Sequence, residues 1–204
     1  MNRARRTLVI ALSLTPLALA SSPAQSNGAF NEVKPPVPVD AEGKIEVLEF
    51  FWYGCIHCYN LEPKLDAWLK TLPKDVQFRR VPAVLSDRWG HDATIFYAFE
   101  AMGLLDKLHR PFFEAIHVNR LRTDNAASLN GWLEKQGLDP KKVNEVARSF
   151  GVQSKVKRAI RLTSDYRIEG TPAMAVHGRY TIPSSEAMLD TVNQLVAAVR
   201  KNKQ

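Results

Sequence analysis

The 204-residue chain has very few cysteines, since Cys55 and Cys58 are the only two. A small exported protein that depends on a disulfide framework normally uses several bridges at wide spacing, so one close pair does not form a framework. A second C-x-x-C motif is absent, and the five histidines show no ligand spacing. The pattern therefore gives no support to a four-ligand zinc site.

The chain also lacks runs of basic residues. Its formal net charge is +7, and Arg3, Arg5 and Arg6 lie in a leading segment without acidic residues, so the remainder carries 7 − 3 = +4. The lysines are spread along helical patterns, which indicates ordinary surface charge and no nucleic-acid partner. Beyond the first 20 residues no apolar run approaches the roughly 20 residues of a membrane-spanning helix. We therefore expect a soluble mature chain.

Residues 1–20 have the pattern of a cleaved signal peptide. Arginines precede an apolar or small stretch from residue 8 to residue 20, which ends in the A-x-A pattern Ala18-Leu19-Ala20. A membrane anchor is disfavoured because the run is short and contains Pro16. We expect export with cleavage, and the Arg5-Arg6 pair leaves the choice between the general and the twin-arginine pathway open.

The next residues predict the beginning of an α/β unit. Residues 21–43 form an extended lead-in that includes the proline-rich segment 34–38. Residues 44–53 are rich in branched and aromatic side chains and predict a strand, and a helical period follows from Cys55 until Pro73. A second strand is predicted at 75–82. The order strand, helix, strand implies a crossover and a parallel sheet.

The middle of the chain is predicted to be helical throughout, from residue 86 to residue 153. Glycine caps, Asp-Pro and helical periodicity indicate the following helices: 91–102, 106–118, 125–136, and one from 139 to about 150. We interpret this block as a subdomain inserted into the α/β unit. Residues 44–85 and 154–204 would then form that unit, with a helix at 154–168, a hairpin of strands 173–177 and 179–182, and a last helix that begins at Pro183.

The position of Cys55 predicts an activated thiol. It lies where a strand passes into a helix, so its sulfur is near unsatisfied backbone N–H groups and the positive end of the helix dipole, which favour the thiolate. Cys58 is one turn further on and can form a disulfide with it. His57 can add a polar or positive ring beside Cys55. The alternative for His57 is an exposed imidazole without effect.

A purely structural or inert role for the cysteine pair is disfavoured. A structural disulfide across so small a loop would remove little entropy from the unfolded chain, because that effect grows with loop length. Two inert buried thiols are not expected at a helix start in an oxidising compartment. The pair is therefore interpreted as a redox-active dithiol.

Two acidic residues are candidates for proton transfer to this pair. Glu49 lies within a strand that we expect to be covered on both faces, and Glu62 is one turn beyond Cys58 on the same helix. A carboxyl group in apolar surroundings has a raised pKa and can give or take a proton. The alternatives are a polar sheet edge for Glu49 and a solvated helix face for Glu62.

The segment EFFWYGCIHCYNLEP and the later GTPAMAVHGRY, on either side of a helical block, resemble the DsbA family of periplasmic thiol–disulfide oxidoreductases. The resemblance extends over essentially the whole mature chain. It implies a thioredoxin fold with an inserted all-helical subdomain. Cys55 corresponds to the exposed nucleophile, Cys58 to its buried partner and His57 to the histidine of the family motif, while Glu49 and Glu62 match acidic residues beneath the active site.

The resemblance also assigns a substrate-binding region. Pro172 corresponds to a cis-proline that faces the disulfide, and Thr171 before it presents backbone to an extended substrate peptide. The chain departs from the family at Ile56, where the motif has proline, and at Thr171, where many relatives have valine. Both positions are expected to tune the redox potential and substrate release.

By the same resemblance, the chain is expected to be a periplasmic dithiol oxidase that acts on unfolded exported proteins. It would be a monomer without a metal or an organic cofactor, and a DsbB-type quinone-linked membrane protein would re-oxidise it. A disulfide isomerase or reductase is the nearest alternative, although residues 21–44 leave no room for the dimerisation domain of DsbC-type isomerases. A non-catalytic peptide-binding chaperone on a thioredoxin scaffold is the second alternative.

Overall fold

The computed structural model describes residues 29–202, so the predicted signal peptide and the first residues of the lead-in lie outside the described range. The elements in chain order are β1 (Asn31–Glu32), β2 (Ile45–Phe51), α1 (Ile56–Leu69), β3 (Val76–Pro82), α2 (Asp87–Ala101), α3 (Leu105–His117), α4 (Ala126–Lys135), α5 (Pro140–Ala147), α6 (Phe150–Asp165), β4 (Ala173–Val176), β5 (Tyr180–Pro183) and α7 (Met188–Lys201). Within residues 29–202, no helix is both long enough and apolar enough to traverse a lipid bilayer.

A five-stranded mixed sheet lies at the centre, in the order β1-β5-β4-β2-β3. Strand β2 runs parallel to β3 and antiparallel to β4, so the predicted parallel crossover and the predicted hairpin are both present. All seven residues of β2 are buried. A strand covered on both faces is normally a continuous apolar run. Glu46 and Glu49 are therefore the unusual residues of this strand.

The two faces of the sheet carry separate apolar cores. Ile45 and Val47 point to one face, where they pack with Leu65 of α1 and with the inner side of α7. Leu48 and Phe50 point to the other face and pack against the helices between β3 and β4. Successive strand residues alternate between faces, so Glu49 shares the face of Val47, which α1 covers.

The first helix between β3 and β4 begins earlier than predicted, although the helical block itself begins at the expected residue 86. Helix α2 starts at Asp87, four residues before the expected start at residue 91. Ser86 takes the N-cap position in an extended conformation, and its carbonyl oxygen accepts the Gly90 N–H at 3.0 Å. The carboxylate of Asp87 in the first turn interacts favourably with the positive end of the helix dipole.

The end of this block also differs from the prediction. Helix α5 ends at Ala147 and α6 starts at Phe150, so the expected boundary between residues 153 and 154 falls inside α6. The reason is the cap at Ser149, whose side chain accepts the Val152 N–H at 3.4 Å. A serine N-cap stabilises a helix start by about 1 kcal/mol. It thereby offsets the weak helix propensity of Gly151, at which the sequence predicts a helix end.

The lead-in is tied to the hairpin more closely than its sequence indicates. The short strand β1, which was not predicted, pairs antiparallel with β5. Further along, the Val37 N–H donates to the Gly178 carbonyl oxygen at 2.9 Å, and the Val37 side chain is buried. The hairpin turn contains His177 and Gly178, both with positive φ. Helix α7 begins at Met188 instead of Pro183, because Pro183 is still the last residue of β5.

Gly178 is predicted to be essential for this packing. Its φ is +70°, and a Cβ atom there would lie 2.0 Å from the Val37 carbonyl oxygen, which is backbone and cannot easily move. Gly178→Ala should destabilise the protein by at least about 3 kcal/mol, since the steric clash adds to the roughly 1–2 kcal/mol cost of a left-handed alanine. Chemical denaturation monitored by circular dichroism measures the change.

Gly43→Ala is the matched control. Gly43 has φ +68° but no atom within 4 Å of the added Cβ, so only the conformational cost of about 1–2 kcal/mol is expected. Equal losses in the two variants would contradict the proposed contact between the lead-in and the hairpin.

Candidate active site

The two cysteines lie at the beginning of α1. Cys55 occupies the N-cap position in an extended conformation, and no side chain caps the helix, so the first backbone N–H groups remain available. The Cys55 N–H donates to the Trp52 carbonyl oxygen at 2.9 Å. Both thiols are free, with Cys55 half-buried and Cys58 fully buried. The start of α1 therefore places one sulfur near the surface and the other in the core.

The environment of Cys55 strongly favours its thiolate. Hydrogen bonding from the Cys58 side chain lowers the pKa of Cys55 to about 5, and a side-chain hydrogen bond with Thr171 and the backbone N–H groups of Cys58 and His57 add to this effect. Burial acts in the opposite direction but is outweighed. The Cys55 Sγ also lies 3.2 Å from the Thr171 carbonyl oxygen. At neutral pH Cys55 is thus predominantly ionised.

Cys58 has the opposite character. Burial raises the pKa of Cys58 far above the ordinary range of a thiol, and the negative charges of Cys55 and Glu49 raise it further. A backbone hydrogen bond from Trp52 lowers it only in part. One sulfur of the pair is therefore a stable anion, while the other must hold a proton when it is not in a disulfide.

Glu49 lies in the centre of β2 and is completely buried. Burial raises the pKa of Glu49 to about 8, although the guanidinium of Arg80 opposes this. The Arg80 Nε lies 3.2 Å from Oε2 of Glu49, but neither carboxyl oxygen has a hydrogen-bond partner within the described part of the chain. Glu49 therefore carries a proton at neutral pH, and its charge when ionised is close enough to affect the pKa of Cys58.

Glu62, on α1, is held in the ionised state. Burial alone would raise its pKa, but hydrogen bonding with His109 and the charge of Arg80 hold the pKa of Glu62 below its usual value. The Arg80 Nη2 lies 3.2 Å from Oε2 of Glu62, and the His109 Nε2 lies 3.5 Å from its Oε1. The two carboxyl groups of the site thus have pKa values displaced in opposite directions, as in acid–base pairs of enzymes.

These positions decide between the alternatives for the two acids. Glu49 lies in a central strand and not at a sheet edge, and Glu62 is buried and not on a solvated face. Arg80, which links them, was missed by the sequence analysis. The signal was present, because Arg80 is directly opposite Glu49 in the parallel register of β2 and β3.

His109 is a second residue that the sequence analysis missed. It belongs to α3 and is buried, and its Nδ1 lies 2.9 Å from the Tyr53 hydroxyl oxygen. Burial lowers the pKa of His109, so the ring is neutral at neutral pH. The ring thus connects Glu62 to Tyr53, two residues before Cys55. In the sequence, His109 is one of several scattered histidines without distinguishing spacing.

The exposed side of the site contains Ile56 and His57. Both side chains are exposed next to Cys55. The contribution of His57 to the Cys55 sulfur comes from its backbone N–H.

The loop before β4 forms the opposite wall of the site. The Thr171–Pro172 peptide bond is cis, in agreement with the resemblance, and the Lys34–Pro35 bond in the lead-in is also cis. Thr171 and Pro172 line an open cavity of about 330 Å³, together with residues of the lead-in and of β5. Thr171 therefore lines this cavity and also contacts the Cys55 sulfur through its carbonyl oxygen.

The arrangement is suited to thiol–disulfide exchange. A half-exposed thiolate can act as nucleophile or leaving group, and the buried Cys58 beside it can close or open a disulfide when a proton moves to or from its sulfur. Glu49, which interacts electrostatically with Cys58 and has a raised pKa, is a candidate to hold this proton. Across residues 29–202, no group of three or more His, Cys, Asp or Glu side chains is placed to hold a metal ion.

Known proteins with similar sequences carry out this chemistry. The thiol:disulfide interchange protein DsbA of Burkholderia cepacia is 39% identical over 203 residues, which cover 93% of this chain and 95% of that relative. The protein of the same name from Azotobacter vinelandii is 37% identical over 174 residues, which cover 85% of this chain and 81% of that relative.

Solved structures agree with this similarity. The crystal structure of Pseudomonas aeruginosa DsbA superimposes with a TM-score of 0.81 at 33% identity, covering 87% of this chain and 95% of that chain. The oxidoreductase DsbA from Xylella fastidiosa gives a TM-score of 0.79 at 30% identity, covering 85% of this chain and 96% of that chain. The expected thioredoxin fold is therefore confirmed.

A family model described as the DSBA-like thioredoxin domain matches residues 90–196. This range includes most of the helical block, the whole carboxyl-terminal hairpin and most of the last helix. Together with the relatives, it establishes that the chain belongs to the DSBA-like thioredoxin family and is a protein thiol:disulfide oxidoreductase.

Proposed function

We propose that the protein is a dithiol oxidase that donates its Cys55–Cys58 disulfide to exported proteins during their oxidative folding. The observation that carries this direction is the stabilised thiolate of Cys55, with its pKa lowered to about 5. Stabilising the thiolate stabilises the reduced form relative to the disulfide, and a pair that is stable when reduced oxidises other thiols.

The first step is attack by a substrate thiolate on the Cys55 sulfur. A bond forms between the two sulfurs, the Cys55–Cys58 bond breaks, and its electron pair leaves with Cys58. A second substrate thiolate then attacks the substrate sulfur of the mixed disulfide and releases Cys55 as a thiolate. The substrate is oxidised by two electrons, and the Cys55–Cys58 pair is reduced by two.

Glu49 supplies the proton that Cys58 requires in the first step. The raised pKa of Cys58 makes its thiolate a poor leaving group, and the raised pKa of Glu49 keeps a proton available at neutral pH. Glu62, which is ionised, and His57, which is exposed beside Cys55, are assigned supporting electrostatic roles.

The loop of Thr171 and Pro172 is assigned to binding of the substrate peptide. Its cavity is open to solvent, and the Thr171 carbonyl oxygen lies 3.2 Å from the Cys55 sulfur, so an extended backbone bound along this loop would bring its cysteine to the disulfide. Ile56 is exposed next to Cys55 and offers an apolar contact to the same peptide.

The cellular setting follows from the predicted signal peptide at residues 1–20 and from the redox chemistry. We place the mature chain in the periplasm as a monomer, with the cysteine pair as its redox group and no added cofactor. Each turnover leaves the pair reduced, so a partner that accepts two electrons must restore the disulfide, and we propose a DsbB-type quinone-linked membrane protein.

Cys58→Ala should trap substrates on Cys55. Without the second thiol, Cys55 cannot be released by an internal attack, so mixed disulfides with periplasmic proteins should accumulate. Non-reducing gel electrophoresis of a periplasmic extract detects them, and a reductant should dissolve them. Cys55→Ala is the control, because the buried Cys58 should trap almost nothing.

Two outcomes would contradict the proposal. A Cys55→Ala protein that supports folding of disulfide-containing clients as well as the wild type would indicate a peptide-binding chaperone. A wild-type protein whose disulfide form is favoured at equilibrium with glutathione would indicate that it does not act as an oxidase.

The alkylation rate of the reduced protein should depend on pH with a midpoint near 5. Since iodoacetamide reacts with the thiolate, the rate should fall as pH drops through the lowered pKa of Cys55. The associated stabilisation of the reduced form is present in full above the usual thiol pKa of about 9 and is lost progressively as pH falls to about 5. Stopped-flow alkylation between pH 3 and 9 measures the midpoint.

Cys55→Ser is the control for this titration. It should show no reaction in the same range, because burial raises the pKa of Cys58. A wild-type midpoint near that of a free cysteine would remove the basis of the proposed direction.

Glu49→Gln should slow the oxidation of a dithiol peptide in a single turnover by about 100-fold, which is a typical contribution of general acid catalysis. Because the pKa of Glu49 is raised to about 8, the ratio of the wild-type rate to the variant rate should fall above that pH, where Glu49 loses its proton. Quenched-flow kinetics with a fluorescent peptide measures both rates.

Glu46→Gln is the matched control, since Glu46 is also a buried acid of β2 and pairs with the neighbouring Arg79 at 3.1 Å. Its rate should stay within about twofold of the wild type. If Glu46→Gln slowed the reaction as much as Glu49→Gln, the proton transfer assigned to Glu49 would be wrong.

A further inference from the structure

Trp52 is bonded to Cys55 through its main chain. It follows β2 directly, and its carbonyl oxygen accepts the Cys55 N–H at 2.9 Å. The turn that this bond closes precedes the helix start, where the backbone N–H groups of His57 and Cys58 stabilise the Cys55 thiolate. The position of this one residue therefore affects the turn that holds the Cys55 sulfur.

The indole of Trp52 is held from the helical block. Its Nε1–H donates to the Asp92 Oδ2 at 2.7 Å, and its ring stacks on Trp89 with centroids 4.5 Å apart and planes 9° apart. Asp92 and Trp89 both belong to α2. The second carboxyl oxygen of Asp92 accepts the Thr123 hydroxyl at 2.7 Å. Asp92 is only 2% exposed, and its carboxyl group is thus fixed by two donors.

The indole also lies against the turn that carries Cys55. A Cβ atom at Gly54 would be 2.2 Å from the Trp52 ring, so the ring occupies the space that a side chain at position 54 would need. The Trp52 ring can therefore pack against this turn only because residue 54 is a glycine. A displaced indole would release Gly54 and, with it, the main chain on either side of Cys55.

We propose that Asp92 is a positioning residue for the redox pair, because its hydrogen bond to Trp52 holds the turn that carries Cys55 into the start of α1. By this role it favours the dithiol over the disulfide. The inference rests on the exchange chemistry of the two cysteines and does not depend on the oxidase direction proposed above.

The chemical basis is the charge that appears when the disulfide opens. In the equilibrium with glutathione, two glutathione thiols are oxidised to one glutathione disulfide, and the Cys55–Cys58 disulfide takes up two electrons. The charge that remains at pH 7 is the thiolate of Cys55, which accepts hydrogen bonds from the backbone N–H groups of His57 and Cys58. A hydrogen bond to a charged group is stronger than one between neutral groups, so a shift of the Cys55 turn that misaligns these donors selectively weakens the reduced form.

The test is the equilibrium of oxidised and reduced protein in glutathione buffers at pH 7. Asp92→Leu, which removes both acceptor oxygens, should lower the equilibrium constant for reduction by about tenfold, the scale of one hydrogen bond to a charged group. Asp92→Asn keeps one oxygen that can accept the indole N–H, so it should recover most of this loss. Thr123→Val, which removes the other donor to Asp92, should change the constant by less than about twofold.

Trp52→Phe keeps an aromatic ring but lacks the indole N–H. It should shift the equilibrium in the same direction as Asp92→Leu, and the double variant should not exceed the larger single effect, since both changes remove one interaction. Thermal unfolding of each variant shows whether it folds. If Asp92→Leu does not fold, the equilibrium constant of Trp52→Phe decides whether the proposal holds.

The proposal is overturned if folded Asp92→Leu and Trp52→Phe keep the wild-type constant within about twofold. It is also overturned if Thr123→Val shifts the constant as much as Asp92→Leu, because the effect would then be a general loss of packing. The wild-type constant alone tests the oxidase direction, so the two failures can be distinguished.

Discussion

The ion pairs of Arg80 are the interaction on which the chemistry beneath the cysteines depends. Burying an isolated carboxylate costs several kcal/mol, and this site buries two. A single guanidinium lies within 3.2 Å of both Glu49 and Glu62. One cation cannot neutralise two anions in an apolar environment. Glu62, which also has His109, keeps its charge, and Glu49 keeps its proton. Glu49 thus stays protonated because β3 supplies a single guanidinium, that of Arg80, to the two buried carboxyl groups.

A difference in burial also separates the pKa values of the two sulfurs. Cys55 and Cys58 are one helical turn apart, but Cys55 lies at the exposed start of α1 and Cys58 lies in the core. The helix start stabilises an anion at the first position, while the core penalises one at the second. Opening their disulfide therefore produces one thiolate and one sulfur that requires a proton. Burial also raises the pKa of Glu49, so the asymmetry of the cysteines and that of the carboxyl groups have the same physical origin.

The sequence was sufficient for those features that depend on local patterns. The strand–helix–strand unit, the hairpin and the helical block follow from periodicity, and the reactivity of Cys55 follows from its place at a helix start. The boundary near residue 150 could not be predicted, because the Ser149 cap competes there with Gly151, and the two effects are similar in size. The strand β1 was missed because two residues are too few to show the alternation of apolar and polar side chains that predicts a strand.

The groups that support the cysteines were missed for a different reason. Arg80 could have been found by aligning the two parallel strands, but His109 and Asp92 depend on tertiary packing. His109 is 56 residues from the tyrosine it contacts, and Asp92 is 40 residues from the tryptophan it holds. A single histidine or aspartate on a helix has no local feature that distinguishes a contact of this kind from a solvent-exposed residue.

These long-range contacts also assign a role to the helical block. Helix α2 holds Trp52 through Asp92, and α3 reaches Tyr53 twice, through His109 and through the His117 Nε2, which lies 2.8 Å from the Tyr53 carbonyl oxygen. The segment that connects β2 to the active helix is therefore fixed by helices that lie between β3 and β4. Since the main chain of this segment leads into the turn that carries Cys55, a change in α2 or α3 can reach the redox pair without any change in the C-x-x-C motif itself.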